Sequence, residues 1–200
     1  MVSTEQRRVA RAHASLPLEG IAELLGSSIH EERLTALFIL VRRFEKGDEP
    51  ARRDAVDLYR RMLDHVDNWD LVDSSAPQLL GAWLLGRPRG ERRLLDELAK
   101  SQNLWHRRVA MVTTQAFIRA GESEDALRIA ASLLDDEHDL IHKATGWMLR
   151  EVGERVSDAT LRAFLERYAA TMPRTALRYA IEKFAPDERQ HWMGRKAATR

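Results

Sequence analysis

The stretch LWHRRV, residues 104–109, has two relatives within the same chain: IHEERL at residues 29–34 and LIHKA at residues 140–144. Each of the three stands at the start of a segment whose apolar residues recur at helical spacing. The intervals from Trp69 to Trp105 and from Trp105 to Ile141 are both 36 residues. A two-helix repeat of this size is typical of HEAT-like solenoids, in which stacked helix pairs share one continuous core.

The composition also favours helices over strands. Hydrophobic residues make up 44% of the 200 residues and charged residues 32%, with only 10 glycines and 6 prolines. We therefore predict an all-α fold, a right-handed superhelix of about five HEAT-like helix pairs that curves around a concave binding surface. One domain should cover residues 1–200, with an N-terminal helix over residues 1–15 and a frayed tail over residues 187–200.

Charge and cysteine content limit the classes of partner and the compartment. The 32 basic and 31 acidic residues give a formal net charge of +1, so a nucleic-acid contact must rest on a local patch. No cysteine is present, which excludes disulfides, thiolate metal sites and cysteine nucleophiles. Residues 1–14 lack the apolar segment of a secretory signal, and the longest apolar run, Leu79–Gly86, is less than half of a membrane span. We therefore expect a soluble, cytoplasmic protein with no membrane partner.

The segment NWDLVDSSAP, residues 68–77, contains the strongest candidates for chemistry. Trp69 and Asp73 are four residues apart and should project from one face of a helix. Asp70 lies in the first turn, where the helix dipole favours an acid, whereas Asp73 lies a turn deeper. His138 and His142 faintly resemble a zinc motif, but no third ligand is evident and an aspartate occupies the place of the glutamate base. We expect no metal and no cofactor.

Four segments of the chain resemble the AlkD-like DNA alkylation repair glycosylases, a family built from HEAT-like repeats. They are NWDLVDSSA at 68–76, WHRRVA at 105–110, KATGWMLRE at 143–151 and MPRTALRYAI at 172–181. The resemblance implies that Asp73 is the catalytic carboxylate and that Trp69 and Trp147 flank it against the deoxyribose of the lesion. It also implies that Arg108 holds the DNA backbone. Trp105, at the same repeat position as Trp69, is assigned to the core.

The same resemblance implies an activity and a partner. Family members remove cationic N3- or N7-alkylated purines from double-stranded DNA in an open cleft, without inserting the base into a pocket. This chain would then act as a monomer on the nucleoid of a bacterium. An alternative stays open, a non-catalytic HEAT-repeat module that binds DNA or protein. It is favoured by the near-neutral charge and by a start that is later than family members usually have.

Overall fold

The computed structural model describes residues 2–195 and divides into two compact units, Met1–Glu91 and Arg92–Arg200. Residues 2–195 form helices and turns with no strand, which confirms the all-α prediction. Among these residues, none of the helices has both the length and the apolar character that a membrane span needs. The assignment of the whole chain to one domain stays a prediction.

The first unit is built around α3, its longest helix. Its α-helices are α1 (Val2–Ala12), α2 (Leu18–Leu25), α3 (His30–Lys46), α4 (Glu49–Arg61), α5 (Trp69–Asp73) and α6 (Ala82–Leu85). Helix α3 buries Leu34, Leu37, Phe38, Val41 and Phe44 against α1, α2 and α4, as their spacing predicts. Glu31 and Glu32 in its first turn and Lys46 in its last turn have the signs that the helix dipole favours.

The chain between α5 and α6 contains a rare π-helix, Pro77–Gly81. Here the Gly81 amide donates to the Ala76 carbonyl at 2.9 Å, which is the i to i+5 bond of a π-turn. Leu79 and Leu80 are fully buried, so the wider turn keeps two adjacent large side chains in the core. Because proline cannot continue a helix, the sequence predicts a bend or a restart at Pro77. The π-helix is the form that this irregularity takes.

The second unit consists of eight α-helices among the residues that are described. They are α7 (Arg93–Ala99), α8 (Leu104–Thr113), α9 (Gln115–Arg119), α10 (Glu124–Ser132), α11 (Asp139–Arg155), α12 (Asp158–Tyr168), α13 (Arg174–Ala180) and α14 (Pro186–Gly194). Helix α11 packs against α8, α12 and α13, and α7 packs against α8. The second unit therefore contains the neighbouring helix pairs that the 36-residue interval predicts.

An arginine near the start of the repeated segment ties each repeat to the next in the same way in both units. Arg33 donates to the Ser27 carbonyl, six residues earlier, and to the Asp67 carboxylate, both at 2.9 Å. Arg107 donates to the Ser101 carbonyl, again six residues earlier, at 2.9 Å and to the Asp136 carboxylate at 2.6 Å. The similarity of residues 29–34 and 104–109 therefore reflects a recurring pair of arginine hydrogen bonds, one to a carbonyl six residues earlier and one to an aspartate of the next repeat.

Two expectations need correction. A frayed tail was expected from residue 187, but α14 covers Pro186–Gly194 and buries Trp192 to 3% exposure, so that prediction is wrong for these residues. Residues 196–200 lie outside the described part of the chain. The apolar spacing after Leu104 predicts one continuous helix over residues 104–120. The structure divides it at Thr114, whose hydroxyl donates to the Met111 carbonyl at 2.7 Å. Such a local bond competes with the helical pattern and bends a helix.

Candidate functional site

Helix α5 is only five residues long and presents its two candidate side chains to solvent. Asn68 caps it, accepting from the Trp69 amide at 2.7 Å, and Leu71 and Val72 are fully buried beneath it. Trp69 is 55% exposed, the largest exposed fraction among the large hydrophobic residues described, and Asp73 is partly exposed. Core packing would explain a buried tryptophan. Trp69 is exposed, so packing alone does not explain it.

Asp70 has a partner that the sequence did not reveal. One carboxylate oxygen of Asp70, Oδ2, lies 2.8 Å from Nε2 of His30 at the start of α3. Its other oxygen accepts from the Leu71 amide at 2.9 Å. The side chains of His30 and Asp70 are 30% and 29% exposed, so the pair is partly shielded from water. The helix dipole, which was the expected reason for Asp70, is therefore only part of its role.

Asp73 lies close to a buried tyrosine of α4. Burial raises the pKa of the Tyr59 phenol well above its usual range, the hydrogen bond with Ser75 acts in the opposite direction, and the negative charge of Asp73 raises it further. The Tyr59 hydroxyl and Ser75 Oγ are 3.1 Å apart, and Ser75 Oγ donates to the Leu71 carbonyl at 2.6 Å. A neutral, hydrogen-bonded tyrosine therefore supports the end of α5 that carries Asp73.

Trp147 belongs to the second unit and is partly exposed on α11. Its indole Nε1 donates to a carboxylate oxygen of Glu151 at 3.3 Å, and Glu151 also accepts from Arg155 at 2.5 Å. The preceding residue is Gly146, where a Cβ would overlap with the Ala176 carbonyl oxygen of α13. The close approach of α11 and α13 therefore sets the position from which Trp147 projects.

Arg108 is buried, whereas its implied role as a contact to the DNA backbone would suggest an exposed side chain. It is 5% exposed, and its Nη1 donates to the Leu140 carbonyl at 2.6 Å, which joins α8 to α11. This side chain therefore serves the packing of the second unit, and its contact with a DNA backbone stays a prediction. Trp105, which was assigned to the core, is in fact partly exposed.

The four candidates divide evenly between the two units. Trp69 and Asp73 share α5 in the first unit, whereas Arg108 and Trp147 lie on α8 and α11 in the second. Their joint action at one lesion stays a prediction.

The two histidines near the start of α11 have structural partners. His138 caps the helix, its Nδ1 accepting from the Leu140 amide at 3.2 Å, and the His142 imidazole is hydrogen-bonded to the Asp136 carbonyl. Over residues 2–195, no group of three or more histidine, aspartate or glutamate side chains is arranged to hold a metal ion.

Comparison with known proteins identifies the family. The family model of the DNA alkylation repair enzymes matches residues 1–184. The chain therefore belongs to the DNA alkylation repair enzyme family, and this membership supports a role in DNA repair. No match was found among curated proteins.

Solved structures show the same fold. A predicted DNA alkylation repair enzyme from Enterococcus faecalis is similar with a TM-score of 0.67 at 15% identity, over 92% of this chain and 85% of the other. The protein smu.31 from Streptococcus mutans UA159 is similar with a TM-score of 0.62 at 18% identity, over 90% of this chain and 92% of the other. The prediction of a fold of the alkylation repair type, made of HEAT-like helix pairs, is confirmed.

Proposed function

We propose that this protein is a DNA glycosylase that excises cationic N3- and N7-alkylated purines from double-stranded DNA. The observation that carries the proposal is α5, which presents an exposed indole and a partly exposed carboxylate from one short helix. Membership of the DNA alkylation repair enzyme family supports alkylated DNA as the substrate. The protein would act on nucleoid DNA in the cytoplasm as a monomer, and it would need no metal or cofactor.

The lesion itself determines what the enzyme must supply. Alkylation at N3 or N7 gives the purine a positive charge, so the base leaves as a neutral molecule and needs no proton from a general acid. The C1′–N bond breaks as positive oxocarbenium character grows on the deoxyribose. A water molecule then adds to C1′ and gives up a proton. The enzyme must therefore stabilise a cationic sugar and position one water molecule.

Asp73 is the side chain proposed for both tasks. A carboxylate about 4 Å from the developing cation, at an effective dielectric constant near 20, contributes on the order of 4 kcal/mol. That energy corresponds to roughly a thousandfold in rate. The same carboxylate can accept a hydrogen bond from the attacking water and take its proton. For a bond that alkylation has already weakened, this contribution is sufficient.

The tryptophans are proposed to hold the damaged nucleotide. The face of an indole attracts a cation, with a contribution of about 0.5–2 kcal/mol that depends on how far the contact is desolvated. Trp69 and Trp147 would flank the deoxyribose of the cationic nucleotide without extrusion of the base into a pocket. Arg108 is the proposed contact to the DNA backbone. In the free protein it is 5% exposed and donates to the Leu140 carbonyl.

A test of the proposal separates it from the alternative of a non-catalytic binding module. Duplex DNA treated with a methylating agent is incubated with the protein, and free 7-methylguanine and 3-methyladenine are quantified. Binding to the same duplex is measured between 50 and 200 mM salt. The proposal predicts base release together with steeply salt-dependent binding, since 6–10 phosphate contacts cost roughly 10³–10⁵ in affinity over that range. Binding without release would favour the DNA-binding module, and salt-independent behaviour would favour a protein partner.

A further inference from the structure

Ile29 occupies a position where isoleucine is unfavourable. It is the N-cap residue of α3, its backbone is extended, and its side chain makes no capping hydrogen bond. Asparagine, aspartate, serine and threonine are strongly preferred at an N-cap because their side chains accept from the first helical amides, whereas isoleucine is among the poorest choices. The side chain is also 51% exposed, so burial does not offset the missing cap.

The corresponding helices have polar caps. Asn68 accepts from the Trp69 amide at the start of α5, and Asn103 accepts from the Trp105 amide at 2.9 Å at the start of α8. His138 caps α11 in the same manner. Only at α3, among these four repeated helix starts, does an apolar side chain replace the cap. A residue that breaks a local rule without a structural gain is a candidate for function.

The location of Ile29 connects it to the proposed site. Ile29 directly precedes His30, Trp69 directly precedes Asp70, and the His30–Asp70 hydrogen bond of 2.8 Å joins the two helix starts. Ile29 and Trp69 are also the two most exposed large hydrophobic residues in the described part of the chain, at 51% and 55%. The two exposed apolar side chains thus immediately precede the two residues that this hydrogen bond joins.

We propose that Ile29 is a DNA-contact residue that extends the apolar surface of Trp69 onto the nucleotide next to the lesion. The inference rests on the proposed function, which puts Trp69 against the deoxyribose of the damaged nucleotide. An isoleucine has no hydrogen-bonding group and no charge, so it does not contact phosphate. It suits the carbon atoms of a neighbouring deoxyribose, the apolar surface that a stacked duplex leaves accessible in its minor groove.

The variant Ile29→Asn gives opposite results for stability and for binding if the inference is correct. The new asparagine restores the cap seen at Asn68 and Asn103, and the thermal midpoint should stay equal or rise by roughly 2–4 °C. Loss of the apolar contact should raise the dissociation constant for methylated duplex DNA about 5- to 20-fold. Ile29→Leu should retain near wild-type affinity. Val9→Gln, which changes a 36% exposed valine of α1, is the matched control and should not weaken binding.

Binding and base release are measured on the same preparations, so that the two proposals fail separately. If Ile29→Asn is at least as stable as wild type and binds the duplex equally well, the inference is overturned even when base release is intact. If the wild type releases no base but Ile29→Asn still weakens binding, the glycosylase proposal fails and the contact remains. A wild type that binds no duplex overturns both.

Discussion

The imidazole Nε2 of His30 lies 2.8 Å from Oδ2 of Asp70, and this bond joins the first turns of α3 and α5 across 40 residues of sequence. Helix α5 has five residues, too few to be stable without tertiary support. The bond to His30 holds it from one side, and the Ser75–Tyr59 contact of 3.1 Å supports its other end. Trp69 and Asp73 therefore project from a helix whose position depends on these anchors.

Replacing His30 should loosen α5. We expect His30→Ala to lower the free energy of unfolding by about 1 kcal/mol, because one partly exposed hydrogen bond is lost and Asp70 is left without it. The rate of base release should fall about tenfold, since a small displacement of Asp73 weakens its contact with the reacting sugar. Urea denaturation and single-turnover release measure the two effects. His65→Ala, at an exposed position, should change neither, and an unaltered His30→Ala protein would refute the anchoring role.

The buried Tyr59 should make the protein sensitive to alkaline pH. Its folded-state pKa is raised above the ordinary value of 10.0, mainly by burial. Below pH 10 both states keep the phenolic proton, and above it the unfolded state loses the proton first. The contribution to stability is therefore complete below pH 10 and is lost as the pH rises, by up to about 1.4 kcal/mol per pH unit.

Tyr59→Phe removes this ionisation and should flatten the decline. The difference in unfolding free energy between wild type and Tyr59→Phe should be constant from pH 7 to 9, at about 1 kcal/mol for the lost hydrogen bond. It should then shrink above pH 10. Chemical denaturation at intervals of one pH unit measures it, and parallel curves through pH 11 would contradict the effect of burial on Tyr59.

Gly146 should tolerate no side chain. A Cβ there would overlap with the Ala176 carbonyl oxygen and lie 2.5 Å from the Tyr179 Cβ, and neither atom can rotate away. We expect Gly146→Ala to cost about 2 kcal/mol of stability because α11 must move away from α13. Gly90→Ala is the control, since no atom lies within 4 Å of its Cβ position. Equal thermal midpoints for the two variants would contradict the close packing.

The buried Arg92 is predicted to be essential for the stability of the second unit. It is 4% exposed and donates to Glu122 at 2.6 Å and to Asp125 at 2.7 Å, with its guanidinium 4.3 Å from the Phe117 ring centroid. Burial disfavours its charge, but the bonds to Glu122 and Asp125 outweigh this and raise the pKa of Arg92. Arg92→Ala should cost about 3 kcal/mol, because the carboxylates lose their partner. The exposed Arg93→Ala should cost less than about 0.5 kcal/mol in the same denaturation experiment.

The helices were predictable because their signals are local. The apolar positions of α3 recur at helical spacing and the chain repeats at 36 residues, so both the class and the pairing followed from the sequence. The helix α14 was missed because its residues have almost no amphipathic pattern and only Trp192 is buried. The division at Thr114 was missed because the hydrogen bond of its side-chain hydroxyl to the Met111 carbonyl leaves no signal in the apolar spacing.

The site was predictable only in part. Trp69 and Asp73 stand four residues apart on one helix, so their common face could be inferred from spacing. The hydrogen bond between Asp70 and His30 could not be inferred from spacing, because tertiary packing brings together residues that are 40 positions apart. The available sequence signal for a structural role of His30 was the histidine that recurs in the three related segments. The burial of Arg108 was equally hidden, since nothing in the sequence around it indicates the Leu140 carbonyl as its partner.

The central claim is that Asp73 stabilises the cationic sugar, and single-turnover release of 7-methylguanine from methylated duplex DNA tests it most directly. Wild type, Asp73→Asn and the exposed control Asp57→Asn are compared at matched protein concentration, with duplex binding measured in parallel. We predict a loss of roughly a thousandfold in rate for Asp73→Asn with binding retained, and a wild-type rate for Asp57→Asn. Release by Asp73→Asn at the wild-type rate would contradict the proposed role of this carboxylate.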